Sequence, residues 1–218
     1  QALVVNGVLI SFAQRTPLLT TRGWIHAAAL GTILWGSLGW RGWLAVAVYL
    51  VLGSLVTRIG FANKQRRGIA EARDGRRGPE NVWGSAAVGA GLALILAASP
   101  QEAILWRQIL LIGFSASFAA KLADTFGSEI GKRWGRTTVL ITTLRPVAPG
   151  TDGAISLEGT MASAVGSVLM TLALWGLSST QLPLIPNAMA AGVVMVVGLL
   201  ATLAESVLGA IVQHRVGW

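Results

Sequence analysis

The segment FAAKLADTFGSEIGKRW holds Lys121, Asp124, Thr125, Ser128, Glu129 and Lys132 within twelve positions. On a helix advancing 100° per residue, with Lys121 at zero, Asp124 falls at about −60°, Ser128 at about −20°, Lys132 at about +20° and Thr125 at about +40°. These five share one arc. Glu129, at about +80°, borders it, while Phe118, Leu122, Phe126 and Ile130 point elsewhere. Ammonium, carboxylate and hydroxyl groups on one stripe are the parts of a site for a metal ion and a phosphate. The competing reading is a solvated interfacial helix, which the cost of polar groups at membrane depth disfavours.

The residues that follow extend the pattern. TTVLITT predicts a short strand or hairpin arm between Arg136 and Arg145, ended by Pro146 and Pro149. PGTDGAISLEGT then presents Thr151, Asp152, Gly153, Ser156, Glu158, Gly159 and Thr160 as an apolar run begins. Glycines, hydroxyls and free N–H groups at a helix N-terminus suit a phosphate oxygen, and Asp152 and Glu158 suit Mg²⁺ or the helix dipole. By itself the pattern is an N-cap; beside the preceding helix it is half of a candidate site. Glu205 interrupts another apolar run, with Thr202 and Gly209 on its face. An acid in a membrane helix is a functional candidate, although a solvated interfacial Glu has the same signature.

These groups must be positioned by membrane helices. With 53% hydrophobic and 12% charged residues among 218, the chain has too little polar surface for a soluble body and reads as an all-α polytopic membrane protein forming a single transmembrane domain over residues 1–218. A spanning helix needs about 17 to 25 apolar residues. Intervals between charges give spans at Trp24–Trp40, Gly42–Thr57, Asn81–Gln101 and Ala103–Ala120. The longest charge-free interval divides at Gln181, Pro183, Pro186 and Asn187 into spans near Ile155–Gly176 and Asn187–Val212. Gln1–Gln14 makes seven, or six if it does not span.

The charge of +8 sorts by topology. If the loop 58–80 is cytoplasmic, alternation puts fifteen of the seventeen basic residues on that side, including Arg15, Arg22, the segment 121–154 and Arg215, with only Arg41 and Arg107 opposite. Two long cytoplasmic loops result. The loop 58–80 holds seven basic residues and ends in GRRGPEN. It reads as a topology determinant touching anionic lipid, or as a phosphate clamp in which tight-turn residues carry Arg76 and Arg77 and deliver Asn81 to the next helix. The absence of cysteine removes disulfides, zinc–thiolate clusters and thiol nucleophiles. His26 and His214 have no second ligand at metal-binding spacing, and the nine Trp suit interface anchoring. Nucleic-acid binding is not expected, because the basic charge follows topology.

ADTFGSEIGK, TTLRPVAPGTDGAISLEGT, the earlier RRGPENV and the later AESVLGAIVQ resemble, in order, a family of integral membrane proteins that includes the phytyl-phosphate kinases of tocopherol synthesis. The likeness covers most of the chain from about Arg66, and the N-terminal helices are similar mainly in hydropathy. Where the resemblance leads to a second Asn shortly after Asn81, this chain has Ser85.

The resemblance implies phosphoryl transfer from a nucleoside triphosphate, CTP by expectation, to a prenyl monophosphate, with Mg²⁺ as cofactor. Such transfer needs positioning and charge neutralisation more than a protein nucleophile. On this expectation Asp124 and Glu129, with Asp152 or Glu158, hold the metal, and Lys121, Lys132 and Arg145 neutralise developing charge. Asn81, Ser128, Thr151, Ser156 and Thr160 donate hydrogen bonds, and Arg76 and Arg77 grip the acceptor or donor phosphate. Glu205 positions a basic residue or a second metal. The rival readings are a transporter or lipid flippase, a lipid cytidylyltransferase using the same parts, and a purely structural membrane subunit.

Overall fold

The computed structural model describes residues 2–212; His214 and Arg215 lie outside the described residues. The chain forms α1 (Ala2–Ala13), α2 (Thr21–Arg58), α3 (Phe61–Arg66), α4 (Pro79–Ala98), α5 (Ile104–Trp134), α6 (Leu157–Leu177) and α7 (Ala188–Val212), with short strands β1 (Val139–Leu140) and β2 (Ala154–Ile155) between α5 and α6. Five helices, α2 and α4 to α7, are long and apolar enough to cross a membrane. The protein is an all-α polytopic membrane protein.

α2 is not one rod. Its 38 residues would extend about 57 Å if straight, yet Arg58 Nη2 donates to the Pro17 carbonyl at 3.1 Å. The reversal is at Gly39, with φ +67° and ψ −164°, a conformation glycine enters without the Cβ penalty. The chain folds back there into two antiparallel arms, and the rings of Trp35 and Trp43 meet edge to face across the bend with centroids 6.1 Å apart. The two spans expected on either side of Arg41 are these arms.

α1, as described, has 12 residues, about 18 Å of helix against a hydrocarbon core of about 30 Å. It is tied down by one polar side chain. Asn6, buried in an otherwise apolar helix, donates to the Ala28 carbonyl at 2.6 Å and to Thr32 Oγ1 at 3.1 Å, and accepts from Trp43 Nε1 at 2.8 Å. Satisfying both ends of the amide removes the desolvation cost that a lone buried Asn would carry.

α5 is the hub, packed against α2, α4, α6 and α7. Its buried Phe114, Phe118 and Leu122 form the centre of the core, with Phe118 against Tyr49 of α2 at 6.1 Å between centroids. Against α6 the contact is backbone to backbone. A Cβ on Gly159 would stand 2.9 Å from the Gly127 carbonyl, and one on Gly166 2.8 Å from the Leu122 carbonyl, so neither position admits a side chain without displacement. Small residues facing one another let membrane helices gain dispersion energy at close range, where no hydrophobic drive separates helix from lipid. At 31 residues α5 is about 46 Å long, so its C-terminal turns, which carry the charged arc, extend beyond the hydrocarbon.

The ends of these helices gather the charged loops on one face. Thr20 N donates to the Arg77 carbonyl at 3.1 Å and Arg77 N to the Leu18 carbonyl at 3.0 Å, stitching the segment before α2 to the end of the basic loop. Arg67 Nη1 reaches the Lys132 carbonyl at 3.0 Å. β1 pairs antiparallel with β2, Val139 opposite Ile155 and Leu140 opposite Ala154, which folds the expected TTVLITT strand back against the entry to α6. Arg41, at the α2 bend, and Arg107, whose Nη1 donates to the carbonyls of Leu96 in the last turn of α4 and of Ser99 just beyond it (both 3.0 Å), lie at the other end of the bundle.

Candidate active site

Two cavities flank the arc of α5, and the arc is the wall between them. The larger, about 370 Å³, opens among α5, α6, α7 and the loop 149–156; the smaller, about 290 Å³, among α2, α4, α5 and the end of the basic loop. Asp124, Ser128 and Lys132 line both. Gly127 and Gly131 border the larger cavity, whereas Thr125 and Glu129 border the smaller. This division follows the helical angles: the glycines fall on the negative side of the arc and Thr125 and Glu129 on the positive side. The glycines also create room, because side chains there would occupy the space between α5 and the α6 N-terminus.

In the larger cavity the loop contributes Thr151, Asp152 and Gly153 beside Ser156 and Thr160 of the α6 entry, and α7 contributes Glu205. Ser156 is the N-cap of α6, its Oγ accepting from Gly159 N at 3.1 Å; this satisfies one amide of the first turn, and Ser156, Gly159 and Thr160 line the cavity. Thr151 Oγ1 donates to the Ala148 carbonyl at 2.7 Å, closing the turn that carries Gly150 at φ +93°, and Ala154 N donates to the Thr151 carbonyl at 3.1 Å around Gly153 at φ +75°. Gly153 has no space for a Cβ, which would lie 2.5 Å from Ala210 of α7. The loop is thereby pinned to α7, and Asp152 is held at the cavity.

In the smaller cavity Arg77 is buried at 8% exposure. Its Nη1 donates to Tyr49 Oη at 2.7 Å, and Tyr49 Oη shares a 2.7 Å hydrogen bond with Ser85 Oγ. Gly53 makes the space, since a Cβ there would stand 2.6 Å from Arg77 Nη2. Asn81 closes the α4 N-terminus, its Oδ1 accepting from Gly78 N at 2.9 Å. Lys121 also lines this cavity and is ion-paired with Glu205, so one salt bridge joins the edges of the two chambers.

Three expected site residues border neither cavity, and a fourth, Glu129, borders the smaller one with its carboxylate already engaged. Glu129, expected as a metal ligand, is 4% exposed and paired through one oxygen with Lys64, while its other oxygen lies 3.6 Å from Lys132 Nζ; its charge is already compensated. Glu158 Oε2 accepts from Arg136 N at 3.4 Å and, like Arg76 and Arg145, borders neither cavity. Among the described residues no three His, Cys, Asp or Glu side chains converge as a complete metal cage. Asp124, Asp152 and Glu205 nevertheless line one chamber. One or two carboxylates with ligand phosphates are the usual donor set for Mg²⁺, so these residues fit that ion and the phosphates it would accompany. His26 is occupied, its Nδ1 accepting from Trp83 Nε1 at 2.9 Å.

Sequence reasoning missed Tyr49, which lines the smaller cavity, and Lys64, the buried partner of Glu129. Tyr49 is the only tyrosine of the chain, a buried phenol that needs a partner, and that was the signal available for it.

Fold and site together define a helical membrane protein with a charged, two-chambered site at one end of its bundle. The chain belongs to the integral membrane protein family DUF92, whose pattern matches residues 4–217. It is 44% identical over 220 residues to an uncharacterized membrane protein of Synechocystis, covering all of this chain and 81% of that protein. It is 38% identical over 222 residues to Protein VTE6, chloroplastic, of Arabidopsis thaliana, again over the whole chain, which spans 64% of that relative's length. An uncharacterized membrane protein of Methanocaldococcus jannaschii is 30% identical over 78% of the chain and 68% of its own length. No solved structure matches.

Proposed function

We propose that the protein is a membrane kinase that transfers a phosphoryl group from a nucleoside triphosphate, CTP by family resemblance, to a prenyl monophosphate such as phytyl phosphate, with the charged face on the cytoplasmic side. One observation carries this reading: two separate cavities share a wall of Asp124, Ser128 and Lys132. Transfer between two phosphates needs two pockets that meet at one set of polar groups, held close enough for in-line attack.

In this reading an oxygen of the acceptor phosphate attacks the terminal phosphorus of the donor. The new P–O bond forms as the bond to the donor's β-phosphate oxygen breaks, and CDP leaves with the electron pair. The acceptor oxygen is already anionic at neutral pH, so no protein base is required. Lys132, at the shared wall, neutralises charge on the moving group. Ser128 and the N–H groups at the α6 entry orient donor oxygens. Asp124 and Asp152 would hold Mg²⁺, which supplies charge neutralisation across the donor phosphates. Crowding of basic residues on the charged face supports its cytoplasmic placement.

The test is transfer of labelled terminal phosphate from CTP or ATP to phytyl monophosphate by the purified protein in lipid nanodiscs. Release of CDP with formation of phytyl diphosphate is expected. Release of pyrophosphate would instead identify a cytidylyltransferase, and absence of transfer from either nucleotide to prenyl phosphates of any length would refute the kinase.

A further inference from the structure

Arg77 is a buried cation of the site that pairs with no carboxylate among the described residues. The ion pairs among the described residues engage Lys64, Arg73, Lys121 and Lys132, whereas the Arg77 guanidinium meets a neutral phenol and stacks 5.2 Å from the Tyr49 ring centroid. Its backbone is bonded on both sides and its space reserved by Gly53. A fixed, desolvated guanidinium without a counter-ion is prepared for an external anion, and its fork matches a phosphate.

The chamber holding it also opens sideways. Gly84 borders that cavity, yet it lies on the face of α4 opposite the buried Ala86, Ala90 and Ala93, with nothing within 4 Å of a would-be Cβ. Val88, Gly91 and Ile95 continue that face within about 40° of Gly84. Val88 is 68% exposed and Ile95 48%, and Gly91 too has nothing within 4 Å. An exposed apolar strip, notched at Gly84 and Gly91, therefore runs from the Arg77 chamber along the outer face of α4. The other chamber is the larger of the two and gathers Asp124, Asp152 and Glu205 with the glycines and hydroxyls of the loop 149–156 and the α6 entry, a lining that suits phosphates accompanied by a cation.

We propose that the chamber among α2, α4 and α5 is the acceptor subsite, where Arg77 takes the phosphate of a lipid phosphomonoester and the Gly84–Ile95 face of α4 takes its hydrocarbon chain, leaving the α5–α6–α7 chamber to the metal–nucleoside triphosphate. This assignment rests on the kinase reading for its two substrates, and binding without turnover separates the two.

Thermal stabilisation of the purified full chain in nanodiscs, without nucleotide, reads the subsite with phytyl monophosphate, phytol and inorganic phosphate as probes. Saturable stabilisation by phytyl monophosphate alone is expected. Gly84→Leu, which fills open space rather than core, should weaken that binding by about tenfold or more and leave Mg²⁺–CTP binding within about twofold. Arg77→Lys, which keeps the charge but loses the fork, should weaken phytyl monophosphate in the same selective way. Unchanged phytyl monophosphate affinity in Gly84→Leu, equal losses of both ligands, or inorganic phosphate binding as well as the lipid would each overturn the proposal. Lipid binding without phosphoryl transfer would sink the kinase reading alone.

Discussion

Lys64 and Glu129, 65 residues apart in sequence, form a buried ion pair that fastens the basic loop to the end of α5. The Lys64 ammonium, fully buried, also donates to the Thr57 carbonyl at 2.8 Å, and Glu129 turns its second oxygen toward Lys132. The loop thus does more than mark topology. It supplies the counter-charge that lets Glu129 be buried beside the wall shared by the two cavities.

Removing one partner of such a pair leaves an uncompensated buried charge, typically costing about 3 to 5 kcal/mol, whereas replacing both with apolar groups can be neutral. Lys64→Met is therefore expected to lower the unfolding midpoint in detergent sharply, and Lys64→Met with Glu129→Leu to recover most of the loss. A double variant as unstable as the sum of the singles would show that the two residues do not act as a pair.

In the kinase reading proposed above, the metal ligands are the acids that face the larger cavity. Asp124→Asn should reduce transfer by about a hundredfold or more and abolish the dependence of nucleotide binding on Mg²⁺. Glu158→Gln alters a carboxylate outside both cavities and is expected to change turnover by less than about threefold. Titration calorimetry of CTP with and without Mg²⁺ decides between them; equal losses in the two variants would contradict the assignment.

The α5–α6 contact sets the distance between the charged arc and the α6 N-terminus. Gly159→Ala places a methyl 2.9 Å from the Gly127 carbonyl, and overpacking of this kind costs about 1 to 3 kcal/mol. The expected result is a lowered unfolding midpoint with a larger proportional loss of nucleotide affinity, since the helices must part where the larger cavity is built. Gly176→Ala, with open space around it, is the control and should leave both measurements unchanged.

The spans and the arc were legible because both are local. Charges interrupt apolar runs at each loop, and a 100° step places Asp124, Ser128 and Lys132 together without knowledge of any neighbour. The partner of Glu129 was not legible, because an acid on a helix looks the same whether it awaits a metal or is matched by a lysine two helices away. Tyr49 was hidden by its apolar context, its hydrogen bonds to Ser85 and Arg77 arising only when the α2 bend brings the second arm beside α4. Arg145 and Glu158 belong to the segment that lines the larger cavity through Thr138 and the run from Pro149 to Ser156, but neither of them lines it.

The bend at Gly39 makes a topological prediction that the cysteine-free sequence makes simple to read. If the α2 arms are antiparallel, Trp40 stands at the same membrane face as Gln101, beyond the end of α4, and opposite Gln65 in the basic loop. Trp40, Gln65 and Gln101 are all exposed, so single Trp40→Cys, Gln65→Cys and Gln101→Cys variants need little repacking. In sealed membranes an impermeant maleimide should label Trp40→Cys and Gln101→Cys from one side and Gln65→Cys only from the other. Labelling of Trp40→Cys and Gln65→Cys from the same side would mean that α2 does not cross twice, and the charged face would lose the second arm that carries Tyr49 to Arg77.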